Sequence, residues 1–159
     1  MKKALILGVS SLMMMFLLSS CETTQTPNVS SGGDLAVSGI NSQVKGFSID
    51  GFPGGSSKLS KNEDLENMKN IVSVVKPIIE KVPDGYAMQI TGHCADYDSA
   101  AMKKSVSTAR AKKVYDELKN AGVSESKMTY KGVSFDEPLS GVDGKDPKQR
   151  RVSFKAVKK

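Results

Sequence analysis

Residues 86–120 read YAMQITGHCADYDSAAMKKSVSTARAKKVYDELKN, and the change of period within this stretch decides the fold. From Tyr86 to Thr91 the large apolar residues Met88 and Ile90 alternate with Gln89 and Thr91, the period of a strand with one buried face. From about Ser99 to Asn120 the spacing lengthens to that of a helix, with Val106, Ala109, Val114 and Leu118 on its inner side. Gly122 follows as the left-handed C-terminal cap. Upstream, Pro83-Asp84-Gly85 supplies a turn. Before it, Leu65, Met68, Ile71, Val72, Val75 and Ile79 recur at steps of three and four, one apolar helical face. Ser60-Lys61-Asn62-Glu63 has the form of a capping box for that helix, and Pro77 predicts a kink or fraying of its last turn. Val44, Phe47 and Ile49 predict a short first strand, ended by Gly51 and the Pro53-Gly54-Gly55 cluster. Downstream, Met128 to Val133 reads as a third strand. A loop rich in Gly, Asp and Pro runs from Ser134 to Lys148, and Val152, Phe154 and Ala156 alternate along a last strand. The order β-α-β-α-β-β predicts an α+β domain with two helices packed on one face of a small sheet.

The N-terminus carries a different signal. Met1-Lys2-Lys3, an apolar run from Ala4 to Leu18 and the ending Leu18-Ser19-Ser20-Cys21 form an export signal, too short to span a bilayer comfortably. Leu-Ser-Ser-Cys resembles the lipobox of bacterial lipoproteins. That resemblance implies diacylglycerol on the Cys21 thiol, cleavage before it and a further acyl chain, such as palmitate, on the new amine. Several acyl chains at one point anchor a protein to a membrane without crossing it. The expected organisation is a signal peptide at 1–20, a lipidated N-terminus and flexible tether at 21–43, and a domain at 44–159. The tether is read from the Thr, Ser, Asn and Gly that dominate Glu22 to Gly39.

Composition narrows the chemistry. With Cys21 lipidated, Cys94 has no intramolecular disulfide partner. His93 is the one histidine and no Cys-x-x-Cys occurs, so zinc ligation is not expected, nor any other cofactor. The formal charge is +6, with pairs at Lys103-Lys104, Lys112-Lys113 and Lys158-Lys159. In an exported chain this basic balance points to anionic wall polymer and lipid headgroups, and not to nucleic acid. The Lys103-Lys104 and Lys112-Lys113 pairs fall on the outer side of the second helix.

Four blocks resemble the OmpA-like C-terminal domain family, which includes the peptidoglycan-associated lipoproteins. Ile90-Thr91-Gly92-His93 resembles the start of its Gly-His-Thr-Asp signature, and Val106-Ser107-Thr108-Ala109-Arg110-Ala111 its Leu-Ser-x-x-Arg-Ala helix. Tyr130-Lys131-Gly132 with Glu137-Pro138 is similar to its Gly-x-Gly-x-x-x-Pro segment, and Gln149-Arg150-Arg151-Val152 to its Asn-Arg-Arg-Val. The blocks keep the family's order and spacing over about Val44 to Val157. The resemblance implies two helices against a small mixed sheet and a non-covalent hold on the diaminopimelate residue of the peptidoglycan stem peptide. An aspartate after Gly-His-Thr would pair the ligand's ammonium and the helix arginine would grip its carboxylate.

The chain departs from that pattern. Cys94 stands at the threonine, Ala95 at the ligand aspartate, and Lys103 where an asparagine is common. Arg110 carries over directly, Asp96 lies one position late and Asp98 three. The expected ligand-binding residues are therefore Arg110, Asp96, Lys103 and Arg150, with one of Arg150 and Arg151 reaching the site or the adjoining loop and the other facing solvent. Truncating one side of a desolvated charge pair costs about 2–5 kcal/mol, so Ala95 predicts weakened affinity unless Asp96 substitutes. Adjacent strand residues face opposite ways, so His93 and Cys94 do not form a nucleophile-base pair, and no enzymatic activity is expected. Two readings follow. One is an outer-membrane lipoprotein whose periplasmic domain ties membrane to wall through peptidoglycan. The other is a domain that has lost wall binding and docks an envelope protein. The placement of the Asp96 carboxylate relative to the Arg110 guanidinium separates them.

Overall fold

Apolar spacing builds the first long helix, α2, at Asn62–Glu80, which turns Met68, Val72, Val75, Ile78 and Ile79 inward. It begins later than the capping box requires. Lys61 occupies the N-cap and no side chain caps the first turn, so Ser60 and Glu63 do not form the expected box. The helix runs through Pro77, and Ile78 and Ile79 beyond it are core residues. The computed structural model describes residues 32–96 and 99–159. The signal peptide, Cys21 and Asp98 lie outside the described residues.

The other elements are α1 (Gly32–Val44), β1 (Ser48–Ile49), β2 (Tyr86–Gly92), α3 (Ala100–Asn120), β3 (Met128–Gly132) and β4 (Val152–Lys158), with short 3-10 turns at Glu125–Lys127 and Pro147–Gln149. The sheet order is β1-β4-β2-β3; β2 and β3 are parallel, and β4 is antiparallel to both β1 and β2. The parallel pair needs a long crossover, which α3 supplies. The α+β class, the mixed sheet and the alternation from β1 onward stand as expected, with a third helix added in front.

That helix corrects the tether. Residues 32–43, read as flexible, belong to α1, which buries Val37, Ile40 and Val44. Few apolar residues suffice because they fall on one stripe and because α1 has a sheet edge to cover. The Asn41 side chain accepts from Ala156 N–H (2.7 Å) and donates to Ala156 C=O (3.1 Å), as a neighbouring strand would. Since β1 pairs only with Val152 and Ser153, this contact covers β4 where β1 stops.

Helix α3 starts behind Ser99, whose hydroxyl accepts from Met102 N–H (3.3 Å). It ends as expected on Gly122, at φ +94°. Gly122 N–H bonds Lys119 O and Val123 N–H bonds Leu118 O, the two bonds of a Schellman motif. Its inner face is rotated from the expected one. Ser107, Arg110, Ala111, Val114 and Leu118 are buried, whereas Val106 is half-buried and Ala109 exposed. The cause lies in the sheet, where Gly92 and Gly132 sit side by side and the small residues Ser107 and Ala111 pack down on them. No helix among the described residues is long and apolar enough to cross a membrane.

Candidate functional site

The end of β2 leads into His93, Cys94, Ala95 and Asp96, and backbone bonds fasten this segment to the chain on either side. His93 N–H donates to Arg151 O (2.9 Å), Cys94 N–H to Ser134 O (2.7 Å) and Asp96 N–H to Gly144 O (2.8 Å). Cys94 and Ala95 are buried as a result. The residue at the expected aspartate position therefore lies inside the protein.

Arg110 rises from α3 into the same region and is 1% exposed. Its Nε donates to Ser56 O (2.9 Å), Nη1 to His93 O (2.9 Å) and Cys94 Sγ (3.3 Å), and Nη2 to Pro53 O (2.7 Å). The guanidinium also lies over the Phe52 ring, 5.4 Å from its centroid. The arginine thus clips the loop between β1 and α2 onto the end of β2.

Asp96 takes a different partner. Its Oδ1 pairs with Lys103 Nζ at 2.8 Å, with the aspartate side chain 54% exposed. The structure brings Asp96 and Lys103 together, while Arg110 bonds carbonyls below the surface. The two basic pairs expected on the outer side of α3 are engaged as well. Lys104 donates to Gly132 O (2.6 Å), and Lys112 and Lys113 pair with Asp116 and Glu117.

Neither member of the arginine pair is free in solvent, which corrects the expected division between them. Arg150 is half-buried and donates from Nε to Phe52 O (2.6 Å). Arg151 is buried and donates to Glu137 O (2.9 Å) and Gln149 O (3.4 Å). Strand alternation misses this because the loops on both sides fold over the start of β4. Gln149, whose role was not read from sequence, is fully buried. It accepts from Leu139 N–H (2.9 Å) and donates to Val142 O (3.2 Å), tying the long β3–β4 loop together. A polar side chain just before two arginines was the available signal.

His93 and Cys94 hold separate partners. The imidazole Nε2 lies 2.9 Å from Ser153 Oγ, and the Cys94 thiol donates to Lys103 O (3.3 Å). Burial, reinforced by the nearby Arg151 charge, lowers the His93 pKa from 6.5 to about 3. The folded state keeps this ring neutral at pH values where the unfolded chain binds a proton. Its contribution to stability is therefore full above about pH 6.5 and is lost as pH falls toward 3, at up to about 1.4 kcal/mol per pH unit. Urea titrations at several pH values are expected to show this slope in the wild type and its loss in His93→Gln.

Three cations and two carboxylates meet at a neighbouring feature. A cavity of about 500 Å³ lies between the β1–α2 loop, the start of α2 and the Pro147–Gln149 turn, with Asp50, Asp64, Lys61, Lys148 and Arg150 in its lining. Among the described residues, no group of three or more His, Cys, Asp or Glu side chains is placed to hold a metal ion.

Comparison with known proteins agrees with this architecture. The OmpA family matches residues 51–151. No curated protein matches the chain. Among solved structures, the C-terminal domain of Helicobacter pylori MotB is similar at TM-score 0.56 and 15% identity, over 71% of this chain and 86% of that one. The OmpA-like domain of FopA1 from Francisella tularensis gives 0.55 and 19%, over 69% of each chain. The peptidoglycan-associated lipoprotein from Burkholderia pseudomallei gives 0.55 and 15%, over 77% and 99%. At these identities the likeness is one of fold.

Proposed function

The chain belongs to the OmpA family, and from that membership we propose that it is a periplasmic envelope protein that holds peptidoglycan non-covalently through the stem peptide. In this reading Cys21 carries the lipid, the outer membrane holds the anchor, and the domain ties that membrane to the wall. Its work is binding and not catalysis. The observation that carries the reading is the family match, which spans the β2–α3 loop, the start of α3 and the β3–β4 loop together.

The roles of the named residues follow their contacts. Arg110 and Arg150 hold the β1–α2 loop through the carbonyls of Pro53, Ser56 and Phe52, and so shape the surface beside it. Asp96, paired with the half-buried Lys103, stands exposed at the rim and offers a carboxylate to a ligand ammonium. Ala95, the enclosure of Arg110 and the turn of an exposed Asp96 onto Lys103 and not into a pocket shared with Arg110 favour a second reading, a domain that has exchanged the wall for an envelope protein partner. Retention of the full chain on purified sacculi, measured at moderate salt beside Asp96→Ala and Lys103→Ala, tests the first. The wild type is expected to be retained. A wild type that washes off sinks the wall reading and leaves the second.

A further inference from the structure

We propose that the cavity between α1 and the sheet face opposite α2 and α3 binds an anionic sugar, with Lys45 and Lys155 taking its charge and Thr91 and Gln89 its hydroxyls. The site shares no residue with the set of Arg110, Asp96, Lys103 and Arg150, and it does not depend on the wall reading.

Strand register builds the floor. Met88, Ile90, Val152 and Ala156 belong to the core beneath the helices, so the alternate residues Gln89, Thr91, Ser153 and Lys155 stand on the other face and line the cavity. Thr91 lies opposite Ser153 of β4 and Lys131 of β3, and Gln89 lies opposite Lys155. Opposed side chains start about 5 Å apart and successive ones on one strand face about 7 Å apart, so Thr91, Ser153, Gln89 and Lys155 frame an area suited to one sugar ring. Helix α1 forms the wall. Asp34, Ser38 and Ser42 recur along it at steps of four, one side of the helix, and Lys45 follows at its end. The two bonds between Asn41 and Ala156 fasten that wall to β4, and a wall fixed before the ligand arrives loses less entropy on binding.

The unsatisfied groups carry the argument. Thr91 is 5% exposed, and its hydroxyl, like the Gln89 amide beside it, has no hydrogen-bond partner among the described residues. Buried polar groups are rarely left unpaired, so a hydroxyl in the floor of a cavity points to a partner that enters from outside. The Lys45 and Lys155 ammoniums likewise form no ion pair within 4.0 Å among the described residues. The two carboxylates of the lining are both engaged, Glu137 with Lys131 at 3.7 Å and Asp34 with the Tyr86 hydroxyl. The charges are also sorted along the groove. Asp34 sits at the Tyr86 end, and Lys45 lies about three helical turns away, just before Ser48, which pairs with Ser153. Unpaired positive charge thus stands beside the Thr91–Ser153 row, with the acid at the far end. An anion with hydroxyls meets both needs at once, whereas a neutral sugar leaves the lysines unanswered and a bare anion leaves the floor unanswered. The volume of about 670 Å³ falls in the range of small-molecule sites.

The test is an NMR titration of the isotope-labelled full chain with glucuronate and with glucose 6-phosphate. The controls are glucose, which lacks the charge, and acetate and inorganic phosphate, which lack the ring. At least one of the two anionic sugars is expected to shift the amides of Lys45, Gln89, Thr91 and Lys155, and the tighter of them identifies the anion. Each control is expected to bind at least about tenfold more weakly. Thr91→Val keeps the side-chain shape and removes the hydroxyl, and Lys155→Gln removes the charge. Each should weaken the anionic sugar by about tenfold, with the dispersed spectrum reporting that the variant is folded. No shifts at these four residues up to about 10 mM sugar, a limit near the weakest affinities usually measured, overturn the proposal. So do shifts that glucose or the bare anions reproduce at the same concentration, shifts confined to residues 94–96 and Lys103, and full affinity in both variants.

Discussion

Replacing Arg110 with alanine is expected to lower stability by about 3 kcal/mol or more, a large share of the 5–15 kcal/mol that holds a typical domain. The substitution removes the donors that satisfy Pro53 O, Ser56 O and His93 O, and the cation over Phe52. A buried carbonyl left without a donor costs about 1–3 kcal/mol, and water reaches the part-buried ones at Pro53 and Ser56 more readily than the one at His93. The volume vacated by a side chain 1% exposed adds a cavity cost. Urea denaturation should show the midpoint falling. Arg110→Lys should recover only part of the loss, because one ammonium cannot reproduce the planar fork that reaches three carbonyls. A variant as stable as wild type would show that the guanidinium does not hold the loop. The result bears on every binding assay: wall retention lost in Arg110→Ala reports the loop's collapse as readily as a missing ligand contact, so Asp96 and Lys103 are the informative positions.

The same residue shows what the sequence makes legible. Arg110 was found by its place in a helix motif, and its helix by apolar spacing, because both are local properties of the chain. Its burial was not legible, since that depends on Phe52, Pro53 and Ser56, more than fifty positions away, whose loop has no period. Asp96 shows the same limit: its lateness relative to the family pattern is visible, but its pairing with Lys103 and not Arg110 belongs to a loop held through the Asp96 N–H bond to Gly144 O, a contact far along the chain. Helix α1 was missed for another reason. Its residues Val37, Ile40 and Val44 look too sparse to bury anything until the uncovered part of β4 is in view, and Asn41 has no meaning except beside Ala156. The lining of the cavity by Asp50, Lys61, Asp64 and Lys148 is likewise a property of three loops brought together and not of any one stretch.

Gly92→Ala is expected to be the most damaging single-methyl change in the domain, costing more than about 4 kcal/mol and leaving little folded protein. A Cβ at Gly92 would lie 1.9 Å from Ser107 O, 2.9 Å from Ser107 C and 3.0 Å from Ala111 N. All three are backbone atoms of α3, so no rotamer change relieves the overlap. Relief requires the helix to lift from the sheet by more than about 1 Å, against the close packing of a protein interior. Val114 and Leu118, both fully buried on the same face, would lift with it. Gly132 sits beside Gly92 in the parallel pair, and a Cβ there meets Thr108 N at 2.3 Å and Ser107 Oγ at 2.4 Å. Gly132→Ala should therefore also be severe, though less so, because a hydroxyl is among the displaced atoms. Gly46→Ala is the control: a Cβ there meets nothing within 4 Å, and its effect should stay within about 0.5 kcal/mol. Circular dichroism and urea denaturation of the three variants would measure the ordering. If Gly92→Ala folded with near-native stability, α3 would have to stand farther from β2 than it does here. The reach of Arg110 to the loop carbonyls of Pro53 and Ser56 would then fall too, because it depends on that close approach.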